Sequence, residues 1–168
     1  MLRDPKAIIY SDSDGVICDF YAGAEKVIGK KWKKDHLSRI EQGVILNQHE
    51  TFWETLPPMP DWESYWSHIK KYHPHILTAV PGWDHDFQEV ERGKREWYRR
   101  HIPDLPQDRI HVVYRKDKAL YAKNGHIQNI LIDDHEQNVQ EFEAAGGIGI
   151  YHVSAKVTIL KLKKLGYY

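Results

Sequence analysis

Five short apolar runs set the rhythm of the chain. Ala7-Ile8-Ile9-Tyr10, His75-Ile76-Leu77-Thr78, Ile110-His111-Val112-Val113-Tyr114, Asn129-Ile130-Leu131-Ile132-Asp133 and Ile148-Gly149-Ile150-Tyr151-His152 all have β character. Apolar positions recur at helical spacing over about 85–100, 138–145 and 155–165. Strands that alternate with helices predict βαβ units and a parallel sheet. Near-continuous apolar strands predict a sheet covered on both faces. The rhythm fails between about residues 20 and 72, where no strong strand is found. Helical patterns over 22–33 and 62–71 flank Pro57-Pro58-Met59-Pro60. This stretch reads as a small helical insertion after the first strand, above the carboxyl ends of the strands, where open α/β sheets bind ligands.

The length of 168 residues suits one domain with an insertion and a real core. Lys+Arg and Asp+Glu are equal at 24 each, a formal charge of zero. That gives no global attraction to nucleic acid or anionic lipid, although local patches are compatible with it. The 11 His residues form no short cluster with zinc spacing. A single cysteine, Cys18, excludes an internal disulfide and favours a reducing, cytoplasmic setting. No signal peptide is expected before the first strand, and no apolar run approaches the roughly 18 residues of a membrane span.

Acids gather at the ends of two strands. Asp12 and Asp14 follow the first, and Asp133 and Asp134 close the fourth. In a parallel sheet both pairs lie at the carboxyl edge, and if the two strands are neighbours the carboxylates converge. Like charges then disfavour each other's ionised form. A hard divalent cation relieves that; magnesium suits a few carboxylates with a substrate phosphate. The first pair alone is also compatible with a turn, because Gly15 follows it. A calcium loop is excluded, since its sixth and twelfth positions would be Ile17 and Gly23 instead of Gly and Glu.

Asp12-Ser13-Asp14-Gly15-Val16-Ile17-Cys18-Asp19-Phe20 resembles the first motif of the haloacid dehalogenase superfamily, and more narrowly its 5'(3')-deoxyribonucleotidase branch. Thr78 stands where the second motif has Ser or Thr. Lys94, within Glu91-Arg92-Gly93-Lys94-Arg95-Glu96-Trp97, matches the third-motif lysine. Ile130-Leu131-Ile132-Asp133-Asp134 matches the fourth motif. The resemblance covers most of the chain. It implies a three-layer Rossmann-like fold with a five-stranded parallel sheet, a core of residues 1–19 and 73–168, and a helical cap of residues 20–72.

It also implies a Mg²⁺-dependent phosphomonoesterase acting on deoxyribonucleoside monophosphates through an aspartyl-phosphate. Asp12 would be the nucleophile and Asp14 the general acid and base, while Thr78 and Lys94 would hold the phosphoryl oxygens. The cation would sit among Asp12, the Asp14 carbonyl, Asp134 and Asp133, with Asp134 the direct ligand of the last two. Phe20, Phe52 and Trp53 would line a base pocket. Ala79 and His135 depart from the Ser and Arg of mammalian-type relatives and would bear on substrate preference.

Other readings stand beside these. Phe52 and Trp53 are also compatible with a core of the cap, and the role of Tyr65 is open. Trp62 and Trp66, four apart, read as packing. Cys18 reads as an apolar filler. Lys116 and Lys118 lie in the basic stretch Tyr114 to Gly125, which reads as a solvated face with phosphate neutralisation as the alternative. A small closing cap implies a nucleotide substrate, without a stable nucleic-acid complex or a membrane partner; a homodimer is compatible with the pattern. The rival functions are a polynucleotide-end phosphatase, which wants an open basic groove, and a non-catalytic binding protein with the same fold.

Overall fold

The computed structural model describes residues 4–29, 31–32, 38–83 and 85–168. Strands β1 (Ile9–Ser11), β2 (His75–Ala79) and β3 (Ile110–Val113) are followed by a two-stranded hairpin, β4 (Lys123–Asn124) and β5 (Ile127–Gln128). Strands β6 (Ile130–Asp133) and β7 (Ile148–Tyr151) are the last two among the described residues. The main sheet runs β3-β2-β1-β6-β7 and every pairing in it is parallel. These are the five expected strands, shifted by a residue or two. Because β1 is central, with β2 on one side and β6 on the other, the chain winds outward in both directions from it. The carboxyl end of β1 is therefore a topological switch point, where a crevice opens.

Helices α1 (Phe20–Ile28), α2 (Arg39–Asn47), α3 (Trp62–Ile69), α4 (Phe87–His101), α5 (Glu136–Ala144) and α6 (Ala155–Lys164) surround the sheet. Local chemistry sets several of their ends. The carboxylate of Asp19 accepts from the Ala22 amide at 2.9 Å to start α1, and Gly29 ends it in the left-handed region. Asp86 accepts from Gln88 and Glu89 to start α4. The expected end of the first helix at Lys33 lies outside the described residues. Helix α2 was not read from the sequence, although Ser38-Arg39-Ile40-Glu41 spells a capping box whose reciprocal bonds both form, at 3.2 and 2.7 Å.

The pleat divides the apolar residues between two layers. Ile9, Ile76, Ile110, Ile130, Ile132 and Ile150 face one side, with Tyr65, Trp97 and Leu162 from the helices. Tyr10, Leu77 and Leu131 face the other, with Phe142 of α5. Helix α3, which the sequence assigns to the insertion, packs against α6. Its Tyr65 is fully buried and donates to Ser11 Oγ at 2.8 Å. Trp62 packs edge-on against Trp97, as its spacing suggested. Among the described residues no helix is long and apolar enough to cross a membrane.

His75 and His111 pair across β2 and β3 side by side, with centroids 5.2 Å apart, planes within 4° and Nδ1 and Nε2 2.8 Å apart. Burial, then His111 and Arg109, pull His75 down to about 4, against only a partial opposing effect of Asp108. An unfolded imidazole takes its proton near 6.5, so acid favours the unfolded chain. The stability this pair holds at neutral pH is lost as pH falls from about 6.5 towards 4. Thermal melting of His75→Asn, which keeps a polar atom near Nδ1, should show a shallower fall across that window than wild type. Parallel curves would mean that other groups govern the acid limb.

Candidate active site

The loop after β1 is a compact turn. The Ser13 carbonyl accepts from the amides of Val16, Ile17 and Cys18 at 2.8–3.2 Å. Gly15 makes the turn possible, with φ +81°. A Cβ there would also lie 2.0 Å from Asp134 Oδ2, so only glycine leaves that carboxylate its place. Two hydroxyl pairs brace the turn from below. Tyr65 donates to Ser11, which donates to the Asp12 carbonyl at 2.9 Å. Tyr98 donates to Ser13 at 2.8 Å, and Ser13 to Cys18 Sγ at 3.3 Å. Cys18 is buried, and burial pushes its thiol up, with Asp14 adding to the effect. It fills space, as read from the sequence.

Above this turn the strand ends converge. Asp12, Asp133 and Asp134 each offer a carboxylate oxygen, and the three oxygens lie within 4.8 Å of one another. Asp14 turns instead towards β2, where Lys94 Nζ of α4 donates to its Oδ2 at 2.6 Å and to Thr78 Oγ1 at 3.0 Å. The four expected catalytic residues therefore meet at one edge. Asp14 Oδ1 is buried and has no hydrogen-bond partner.

Lys118 was read as a solvated residue, and the structure corrects this. It is 2% exposed and bridges Asp12 Oδ1 at 2.9 Å and Asp133 Oδ2 at 2.7 Å. The 3₁₀ segment Arg115–Tyr121 turns it inward from the end of β3. Burial opposes its charge, but Asp12 and Asp133 hold the ammonium well above its ordinary range. Lys116, its neighbour, stays exposed.

Asp133 has no exposed surface and both of its oxygens are engaged. His135 N–H donates to Oδ1 at 2.8 Å, Asn138 Nδ2 to both oxygens at 3.0–3.1 Å, and Lys118 to Oδ2. Asp134 is half-buried and faces the cleft. Burial, then Asp133 and Asp14, raises it to about 6. Burial raises Asp12 to about 8; Lys118 opposes this, while the other three carboxylates add to it.

Four carboxylates meet two ammonium groups, so with all four ionised two negative charges are unmatched, which, after burial, is why Asp12 and Asp134 are raised. The donors are all hard oxygens. The excess of negative charge, the spacing and the cleft-facing Asp134 carboxylate together fit a divalent cation.

The edge opens into a cleft of about 760 Å³ lined by Asp14, Phe20, Trp53, Ala79 and His135, among others. These include four of the five expected substrate-side residues. Phe52 departs from expectation: it is 4% exposed and packs edge-on against Phe20 and Trp53 behind the wall. Trp53 has a second contact, because Lys94 Nζ sits 4.6 Å over its ring. A desolvated cation–π contact is worth about 0.5–2 kcal/mol. Trp53→Ala should therefore lower kcat/KM about 2- to 30-fold even on p-nitrophenyl phosphate, with Trp53→Phe recovering most of the loss. A defect confined to nucleotides would show that Trp53 serves the base alone.

A parallel α/β sheet with its acids at this switch point defines a hydrolase of the haloacid dehalogenase class. The chain belongs to the family described as 5' nucleotidase, deoxy (pyrimidine), cytosolic type C protein (NT5C), which it matches over residues 6–158. It is a phosphatase of the nucleotidase type. Among solved structures, a hydrolase from Streptococcus pneumoniae TIGR4 is similar, with a TM-score of 0.50 and 13% identity over 94% of this chain and 96% of that one. At such identity the likeness speaks for the fold. A comparison with curated proteins gives no match.

Proposed function

We propose that this protein is a Mg²⁺-dependent nucleotidase that hydrolyses deoxyribonucleoside monophosphates through a phosphoryl group carried on Asp12. The observation that supports this best is the joining of four carboxylates and two buried lysines to an aromatic-walled cleft. Asp12 and Asp134 would hold the cation together with the Asp14 carbonyl, and Asp133 would fix the geometry through Lys118, Asn138 and His135. The bound cation supplies positive charge against the phosphoryl group and the carboxylates.

Asp12 attacks phosphorus, and the Asp12–phosphorus bond forms as the bond to the sugar oxygen breaks. Asp14 gives that oxygen its proton. Asp14 then takes a proton from water as the water oxygen attacks phosphorus, which releases phosphate and restores Asp12. Thr78 and Lys94 hold the phosphoryl oxygens throughout. Lys118 opposes the protonation of Asp12 and fixes the position of its carboxylate. The aromatic wall excludes water and receives the base. The buried thiol of Cys18 and the cytosolic type in the family description favour the cytoplasm.

Phosphate release from 5'- and 3'-phosphates of deoxy- and ribonucleosides, with a phosphorylated oligonucleotide alongside, tests the reading in Mg²⁺ and in EDTA. Release that needs the metal and favours deoxymononucleotides is expected. Preference for the oligonucleotide would indicate end processing, and no release from any of them by folded protein would overturn the nucleotide reading.

A further inference from the structure

The cleft continues past Phe20 into a second lobe of about 690 Å³, and Trp83 lines both lobes. Trp83 comes from the loop between β2 and α4, on the core side. Its ring centroid lies 6.2 Å from that of Phe20, tilted by 38°, and 6.1 Å from that of Trp32. Two layers of van der Waals contact need about 7 Å. As they stand the two rings are tilted and too close to hold a planar group; one would enter after Trp83 turns towards parallel and moves outward by about 1 Å.

Helix α2 holds the indole in this place. Its Gly43 presents bare backbone to the ring; a Cβ there would lie 2.3 Å from Trp83 Cγ and 2.5 Å from Cδ1. One turn on, Asn47 Oδ1 accepts from Trp83 Nε1 at 3.3 Å. Positions 43 and 47 share a helix face, so α2 presents one surface to the ring: a gap for its flat side and an acceptor for its N–H. Among the described residues, the rest of the indole borders the cleft, Phe20 and Trp32. A residue with no more than a packing role would not need to border both lobes.

We propose that Trp83 is a specificity-determining residue: with Phe20 it clamps a planar aromatic group on the leaving alcohol, so that the enzyme separates nucleoside monophosphates from the corresponding sugar phosphates. This rests on the nucleotide reading above. It adds a recognition element from the core loop to the aromatic residues of the insertion. Stacking on aromatic side chains is sequence-tolerant, so the clamp recognises a base as such and leaves the choice among bases to polar groups.

The test compares kcat and KM for a deoxynucleoside monophosphate and for deoxyribose 5-phosphate in wild type, Trp83→Ala, Trp83→Phe and Gly43→Ala. Wild type should prefer the nucleotide. Trp83→Ala should narrow that preference about 5- to 100-fold, mainly through KM. Trp83→Phe should keep most of it, and Gly43→Ala should narrow it by displacing an intact indole. An unchanged preference in Trp83→Ala or Gly43→Ala would overturn the clamp, as would a Trp83→Phe variant as impaired as Trp83→Ala. A wild type that hydrolyses phosphates but does not prefer the nucleotide would overturn the nucleotide reading itself.

Discussion

Replacing Asp12 by Asn should reduce phosphate release by on the order of 10⁴-fold or more, the scale seen when a nucleophile is removed. The amide is nearly isosteric and can still accept from Lys118, so the fold should persist. Electrostatics lead to the same expectation. Burial and three neighbouring carboxylates raise Asp12 to about 8, above its unfolded value of 3.8. The folded state therefore binds the proton more tightly, and in metal-free protein this group costs stability increasingly as pH rises from about 4 to 8. Asn removes that cost. Metal-free Asp12→Asn at pH 8 should melt within a few degrees of wild type or above it, while releasing no phosphate. Turnover retained by a well-folded variant would exclude Asp12 as nucleophile.

Lys118→Met should fail in activity and in stability together. Lys118 Nζ is the only side-chain cation within hydrogen-bonding distance of Asp12 among the described residues, and it also holds Asp133. Without it two buried carboxylates face one another. Removing one partner from a buried ion pair costs about 3–5 kcal/mol, or on the order of 10 °C in Tm for a chain of this size. Activity should fall about 10²- to 10³-fold, the scale of losing one preorganised electrostatic contact. Because the defect is surplus negative charge, lower pH or millimolar Mg²⁺ should restore part of the Tm. Phosphate release and melting temperature, each measured with and without Mg²⁺, test both effects. A variant with full activity and unaltered melting would return Lys118 to the solvated role its neighbours suggest.

Residues that bind their chemistry to a local pattern were legible early. The apolar runs marked the strands, and the acids that end two of them marked the acidic edge. Thr78 and Lys94 followed from motifs in order. Helix α2 was missed although its capping box is written in Ser38 and Glu41. The β4–β5 hairpin was missed although Gly125, at φ +60° in the first position of the two-residue loop, marks its turn. These signals were present but short.

Other features had no local signature. Arg115-Lys116-Asp117-Lys118 reads as a solvated charge run, and nothing in it says which lysine turns inward. That depends on how the segment leaving β3 crosses towards β6. Phe52 and Trp53 are adjacent and alike in sequence; packing against Phe20 buries one behind the wall and leaves the other in it. Trp83 carries no motif at all, and its position depends on a bare glycine in a helix far from it in sequence.

The sequence by itself determined the strand rhythm, the helical insertion and the acids that would meet, because period and strand-end position are properties of neighbouring residues. Only the tertiary structure decided that Lys118 joins the acidic cluster, that α3 packs into the core and that Trp83 lines the cleft. Those outcomes depend on which distant surfaces share a boundary, and burial there reverses the cost of a charge that local composition would leave in water.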